Sequence, residues 1–187
     1  MAGDSAGGIV RQVSTKVVYA NPWLSVREDA IERPDGSRGM YGVVDKPDFA
    51  LVIPAERDGF HLVQEYRYPV GRRTWGFPQG TVAGATGPEG MAATELAEET
   101  GLRARELVRL GTLDNAQGTL AQRFHVFLAT GLTPGPPDRE AGEQDMIQRH
   151  VSRAEFEAMV RGGEVADACS LAGYALLLLH EAAGRAG

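Results

Sequence analysis

Three carboxylates, Glu95, Glu98 and Glu99, stand at i, i+3 and i+4 in Met91-Ala92-Ala93-Thr94-Glu95-Leu96-Ala97-Glu98-Glu99-Thr100-Gly101-Leu102. Ala, Leu, Met and Glu favour a helix, and Gly101 falls where a helix would stop. That spacing puts the three on one helical face, where like charges repel. A surface helix would intersperse Lys or Arg, yet no cation follows until Arg103. Crowded carboxylate oxygens make a cage for a hard divalent ion, Mg²⁺ or Mn²⁺. Taken alone, the triplet reads better as a solvated acidic face than as a metal site.

It does not stand alone. Gly80 to Leu102, GTVAGATGPEGMAATELAEETGL, resembles the Nudix box, whose pattern is Gly-x5-Glu-x7-Arg-Glu-hydrophobic-x-Glu-Glu-x-Gly-hydrophobic. Gly80, Glu95, Leu96, Glu98, Glu99, Gly101 and Leu102 fall in register. Two positions depart, with Thr86 in place of the first Glu and Thr94 in place of the Arg. The resemblance implies that Glu95 and Glu99 are the main metal ligands, Glu98 a further ligand or water partner, and the Gln79 carbonyl a fourth donor. It also implies catalytic roles for Glu98 and Glu99, and a hydrolase of pyrophosphate bonds. Thr94 cannot supply the charge with which the family's Arg holds the box carboxylates. The expectation is a working enzyme; the alternative is a weak or silent domain that binds nucleotides and regulates.

The surrounding chain must position this helix. Its 187 residues suffice for one domain with a substantial core. With 43% hydrophobic and 24% charged residues, the composition is that of an ordinary globular protein. A net charge of −6 offers no broad basic surface for nucleic acid or an anionic membrane. Phosphates would have to be met by local Arg residues and metal. Cys169 has no cysteine partner and suits a reducing cytoplasm, and the first residues lack the features of a secretory signal. Leu171 to His180 is apolar but too short to span a bilayer.

Met1 to Gly8 reads as a disordered tail, and residues 9–187 as a single domain. Strands are expected at Ile9–Tyr19, Trp23–Ile31, Met40–Val44, Phe49–Pro54, Phe60–Tyr68, Leu107–Leu113, Gln122–Ala129 and Met146–Val151. Phe49 to Pro54 is apolar throughout, as in a strand buried on both faces. Pro69 to Arg73 and Thr133 to Pro137 read as loops. Thr86 to Glu89 and Ser152 to Glu155 have capping-box spacing, the second opening a helix that ends at Gly162-Gly163. Asp167 is placed to cap a last, largely buried helix from Ala168 to about Ala183. Strands and helices without strict alternation make an α+β fold. The resemblance implies a Nudix-type α/β/α sandwich of mixed sheets with an N-terminal antiparallel strand extension.

The flanks are similar to those of ADP-ribose and nucleotide-sugar pyrophosphatases, in VYANPWLSVRED, PDFALVIP, HLVQEYRYPVG, RFHVFLATGL and GGEVADACSLAGY. This implies that ADP-ribose or a related nucleotide sugar is cleaved to a nucleoside monophosphate and a sugar phosphate. It implies a base or metal partner on the acidic loop, Glu143, with Glu140 and Asp145 as rivals. Arg67 matches a residue that contacts substrate. The chain also departs here, with Trp75-Gly76-Phe77-Pro78-Gln79-Gly80 where the subgroup has Trp-Glu-x-Pro-Ala-Gly; the Phe-Pro-Gln-Gly run resembles hydrolases of dinucleoside polyphosphates. Finally, the apolar strands of residues 9–45 would be sticky edges if left uncovered. The resembling enzymes exchange them in a homodimer, which puts Trp23 at a partner's site.

Overall fold

Every residue of the strand Phe49–Pro54 is buried, which makes it the plank on which the larger part of the fold is built. Side chains alternate across a strand, so its two faces feed two different cores. Phe49, Leu51 and Ile53 join Phe60, Leu62, Phe77, Phe156 and Leu177 on one side. Ala50 and Val52 join Ala92, Leu96, Leu102 and Phe127 on the other. Each large apolar side chain so buried contributes roughly 1.5–3 kcal/mol. The continuous apolar run is therefore a strand covered on both faces, as its sequence implies.

The computed structural model describes residues 10–81, 87–139 and 145–185. The chain forms two compact units, one of residues 1–47 with 114–122, the other of residues 48–113 with 123–187. Its strands are β1 (Arg11–Ala20), β2 (Ser25–Glu32), β3 (Arg38–Asp45), β4 (Phe49–Pro54), β5 (Gly59–Arg67) and β6 (Arg72–Gly76). They continue with β7 (Gln79–Thr81), β8 (Leu102–Arg103), β9 (Glu106–Asp114), β10 (Arg123–Thr130), β11 (Thr133–Pro134) and β12 (Ile147–Ser152). The helices are α1 (Gly87–Thr100), α2 (Arg153–Arg161) and α3 (Ala168–Arg185).

In the larger unit one sheet runs β7-β4-β10-β9 and a second β12-β5-β6, with β8 and β11 as a small ladder. The first sheet is mixed, since β4 pairs parallel with β10 and antiparallel with β7. Helix α1 covers one face of β4 through Ala92 and Leu96. The opposite face is covered by α2 and α3, with Phe156 stacked on Phe77 at 5.2 Å and Gly173 close over Leu51 and Val126. The expected α/β/α sandwich of mixed sheets is borne out.

The smaller unit is the antiparallel sheet β1-β2-β3. Gly36, at φ +78°, turns β2 into β3, helped by the Asp35 carboxylate accepting from the Ser37 N–H. Arg27 on β2 pairs with Asp29 and with Asp45. Residues 114–122 join this sheet where the Thr119 carbonyl accepts from the Val44 N–H at 2.9 Å. β1 is exposed along its whole length.

Three readings of the sequence are corrected. Arg72 and Arg73, read as loop, lie in β6, because β5 supplies a partner through register Tyr66↔Arg73 and Arg67↔Arg72. Thr133-Pro134, also read as loop, forms a short ladder with Leu102 and Arg103. Helix α3 is less buried than expected: Ser170, Gly173 and Leu177 form its buried stripe, while Leu178 and Leu179 face solvent. Thr86, Glu140, Glu143 and the first nine residues lie outside the described residues.

Candidate active site

Gly80 is the hinge between sheet and box. In β7 it pairs with Ala50 of β4. A Cβ there would overlap the Glu95 carboxylate, so only glycine lets the helix lay that carboxylate against the strand backbone. Glu99, one turn later, is buried at 3% exposure, and Glu98 is half-buried. The three acids sit where the sequence spacing puts them, on α1. Thr94, also half-buried, occupies the position of the missing Arg.

The end of α1 is closed by the chain around residues 135–139. A Cβ at Gly101, φ +72°, would overlap the Gly135 carbonyl, so these backbones touch. The Asp138 N–H donates to the Glu98 carbonyl at 3.0 Å, and Arg139 Nε donates to the Glu99 carbonyl at 3.1 Å.

Gln79, the residue before Gly80, lines a cavity of about 300 Å³. Its polar lining includes Glu65, Arg67, Arg72, Gln79 and Asp167; Pro69, Val70, Trp75 and Phe77 make it largely apolar. β6 runs along the cavity and contributes Arg72, Thr74, Trp75 and Gly76 to its lining. Arg67 is ion-paired with Glu65, two residues back on the same face of β5. The Gln79 side chain donates to Asp167 at 3.2 Å. Asp167 also accepts from the Ser170 N–H and hydroxyl at 2.9 and 2.7 Å, capping α3 as expected. Ser170 in turn accepts from the Phe77 N–H at 2.9 Å, which pins the strand leading to Gln79. Burial, with the Asp167 charge, pushes the Cys169 thiol up to about 12 against the opposing pull of Arg67, so this cysteine is no nucleophile.

The structure thus brings Arg67 and Gln79 to one cavity, with Glu95 against the glycine that follows Gln79. Asp145, one of the acidic-loop rivals, is instead tied to Arg73 at 2.6 Å. Trp23 belongs to the smaller unit, where it is 73% exposed beside a shallow groove with Asn21, Lys46 and Pro47. Trp75 is a buried wall residue, with the Arg149 guanidinium 5.0 Å above its ring. Sequence reasoning missed Glu65 and Asp167 as cavity residues. The signal for Asp167 was present in its capping position; nothing local marks Glu65.

Among the described residues no three His, Cys, Asp or Glu side chains already stand together as a metal-holding group. The donor set nevertheless fits a hard divalent ion. It is all oxygen, from Glu95, Glu98, Glu99 and the Gln79 carbonyl, and Gly80 keeps the backbone open beside Glu95.

Residues 45–169 match the NUDIX domain family, and residues 10–44 the nucleoside diphosphate sugar hydrolase N-terminal domain. The chain belongs to the NUDIX family. It is 31% identical over 171 residues to an ADP-ribose pyrophosphatase of Mycobacterium tuberculosis, covering 90% of this chain and 82% of that protein. A second ADP-ribose pyrophosphatase, from Bacillus subtilis, is 25% identical over 174 residues, covering 92% and 94%. The fold matches the crystal structure of an ADP compounds hydrolase with a TM-score of 0.84 at 19% identity, covering 98% of this chain and 99% of that one. The resemblance read from Gly80, Glu95, Glu98 and Glu99 is borne out at the level of the family.

Proposed function

We propose that this NUDIX protein hydrolyses the pyrophosphate of a nucleoside diphosphate sugar, ADP-ribose or a close relative, to a nucleoside monophosphate and a sugar phosphate, with Mg²⁺ or Mn²⁺. The observation that carries this reading is the adjacency of Gln79 and Gly80: Gln79 lines an Arg-bearing, mostly apolar cavity, and the box carboxylate Glu95 lies against Gly80. The relatives' names supply the substrate class.

Glu95, Glu98, Glu99 and the Gln79 carbonyl would hold the metal, which would supply charge neutralisation on the pyrophosphate and a more acidic water. Arg67, paired with Glu65, offers its planar fork to phosphate oxygens in the cavity it lines. The apolar walls around Trp75 and Val70 take the nucleoside or sugar and exclude water. Glu98 and Glu99 orient the attacking water, and Glu143 accepts its proton. The test is metal-dependent release of phosphomonoester from ADP-ribose, read with a coupled phosphatase. Products that are resistant to the phosphatase, or no turnover across nucleoside diphosphate sugars, would overturn the assignment.

The protein acts in the cytoplasm as a homodimer in which the strands β1–β3 pair across two copies and Trp23 reaches the partner's substrate. Support comes from the apolar surface these strands expose, Val17 at 58%, Tyr19 at 55% and Met40 at 66%. Among the described residues no helix is long and apolar enough to cross a membrane. Light scattering should give roughly twice 20.0 kDa. Removing residues 1–31 should cost both the dimer and substrate binding; a stable, active monomer would contradict the assembly.

A further inference from the structure

A helix that gathers three carboxylates near its C-terminus is electrostatically unfavourable twice over. The acids repel one another, and they sit at the end where the helix dipole already points negative. α1 has no basic residue in its last turn, and Thr94 brings none to the box. The last carbonyls must also find donors, because nothing within the helix can reach them. One is satisfied locally, the Ala97 carbonyl accepting from the Gly101 N–H at 2.9 Å. The next two are satisfied from far along the chain. The Asp138 N–H donates to the Glu98 carbonyl at 3.0 Å, and Arg139 Nε to the Glu99 carbonyl at 3.1 Å. Arg139 Nη1 also donates to the Met146 carbonyl at 2.5 Å, so one guanidinium ties the helix end to the chain leading into β12.

We infer that Arg139 is a positioning residue for the metal-binding carboxylates: it supplies from outside α1 the cation that the box lacks at Thr94. The two departures from the usual box pattern then differ in consequence. A positive charge is not lost from the site but relocated from the helix to the segment that closes it. A guanidinium suits the role because its rigid planar fork presents Nε and Nη1 to the Glu99 and Met146 carbonyls in a fixed geometry, whereas a lysine ammonium is a point charge on a flexible stem. The inference rests on the α1 carboxylates holding metal, so its test reads metal binding and helix protection as well as turnover.

The experiment compares wild type, Arg139→Gln, Arg139→Lys and the double variant Thr94→Arg/Arg139→Gln. Each is followed by Mn²⁺ titration calorimetry, hydrogen exchange of the α1 amides, and kcat and KM for ADP-ribose. Arg139→Gln should weaken Mn²⁺ about 10–100-fold, the usual effect of removing a group that supports metal ligands, and lower kcat with little change in KM. Exchange at residues 97–101 should rise while that of β4 and β10 stays as in wild type. Arg139→Lys should recover part of the loss. Adding Thr94→Arg should restore Mn²⁺ affinity without restoring the bond to the Glu99 carbonyl. Unchanged Mn²⁺ affinity in Arg139→Gln would overturn the inference. So would a double variant as weak as Arg139→Gln, because Arg139 would then be a brace of the chain and not a substitute for the missing charge. Should Arg139→Gln fail to fold, Arg139→Lys decides: a full 10–100-fold loss of Mn²⁺ affinity although the positive charge is kept would contradict the charge role. Failure of the function above looks different, because wild type itself would then leave ADP-ribose intact or bind no Mn²⁺, and the exchange data alone would decide whether Arg139 caps the helix.

Discussion

Helices α1 and α2 lie on opposite faces of the same plank and obey opposite rules. α2 is locally complete. Ser152 caps it, Glu155 returns the bond to the Ser152 N–H, Arg161 sits in its last turn, and Phe156 and Met159 are buried. α1 breaks the same rules, with acids at the wrong end, no cation in its last turn, and carbonyls closed by residues about forty positions later. Local rules violated on one helix and kept on the other mark where function has been built. α2 is there to hold β5 and the aromatic cluster; α1 is there to present carboxylates.

That contrast can be broken in several ways, taken here from the largest effect to the smallest. Removing divalent metal with a chelator should abolish turnover altogether while leaving α2 and the second sheet folded, read by circular dichroism beside the activity assay. Turnover that persists in chelator would mean α1 is only an acidic face. Gly80→Ala should push the Glu95 carboxylate off the strand and cost roughly 1–3 kcal/mol of stability, as overpacking does, together with activity. If Gly80→Ala were fully active, the close approach of Glu95 to the strand would have no part in the reaction.

On the other helix, Ser152→Ala should remove the cap and cost about 1 kcal/mol in denaturant unfolding. Its kcat and KM should equal those of wild type; a changed kcat would show that α2 is not merely scaffold. The smallest effect is one of pH. The Ser152 N–H and hydroxyl hold the Glu155 carboxyl below its ordinary 4.5. A carboxyl depressed in the folded state stabilises above the unfolded value, and that contribution is lost as pH falls through the folded one. Wild type should therefore lose slightly more stability than Glu155→Gln on acidification below about pH 4.5. Equal losses would mean that the capping box contributes nothing through charge.

How much of this could be read from the chain alone follows the same division. The box helix, the doubly buried Phe49–Pro54 strand, the capping box at Ser152 and the cap at Asp167 were legible, because each is a local pattern of residue types. Strand β6 was not, since Arg72–Gly76 is a strand only because β5 lies beside it. The exposed side of α3 was hidden by its uniformly apolar run, in which the stripe of Ser170, Gly173 and Leu177 has no polar counterpart. The cavity escaped for a related reason: Glu65, Gln79 and Asp167 are far apart in sequence and meet only through sheet pairing and the Ser170 bond to Phe77. Arg139 was equally silent, an ordinary charge in an acidic stretch until its guanidinium is seen on the end of α1.

The central claim, that α1 is a metal-holding catalytic helix, is tested most directly by Glu99→Gln. This change keeps the buried side chain's shape and removes the charge that a hard cation requires. With ADP-ribose and saturating Mg²⁺, turnover should fall by on the order of 100-fold or more while thermal unfolding stays close to wild type. A Glu99→Gln protein that retains most of the wild-type rate would contradict the claim.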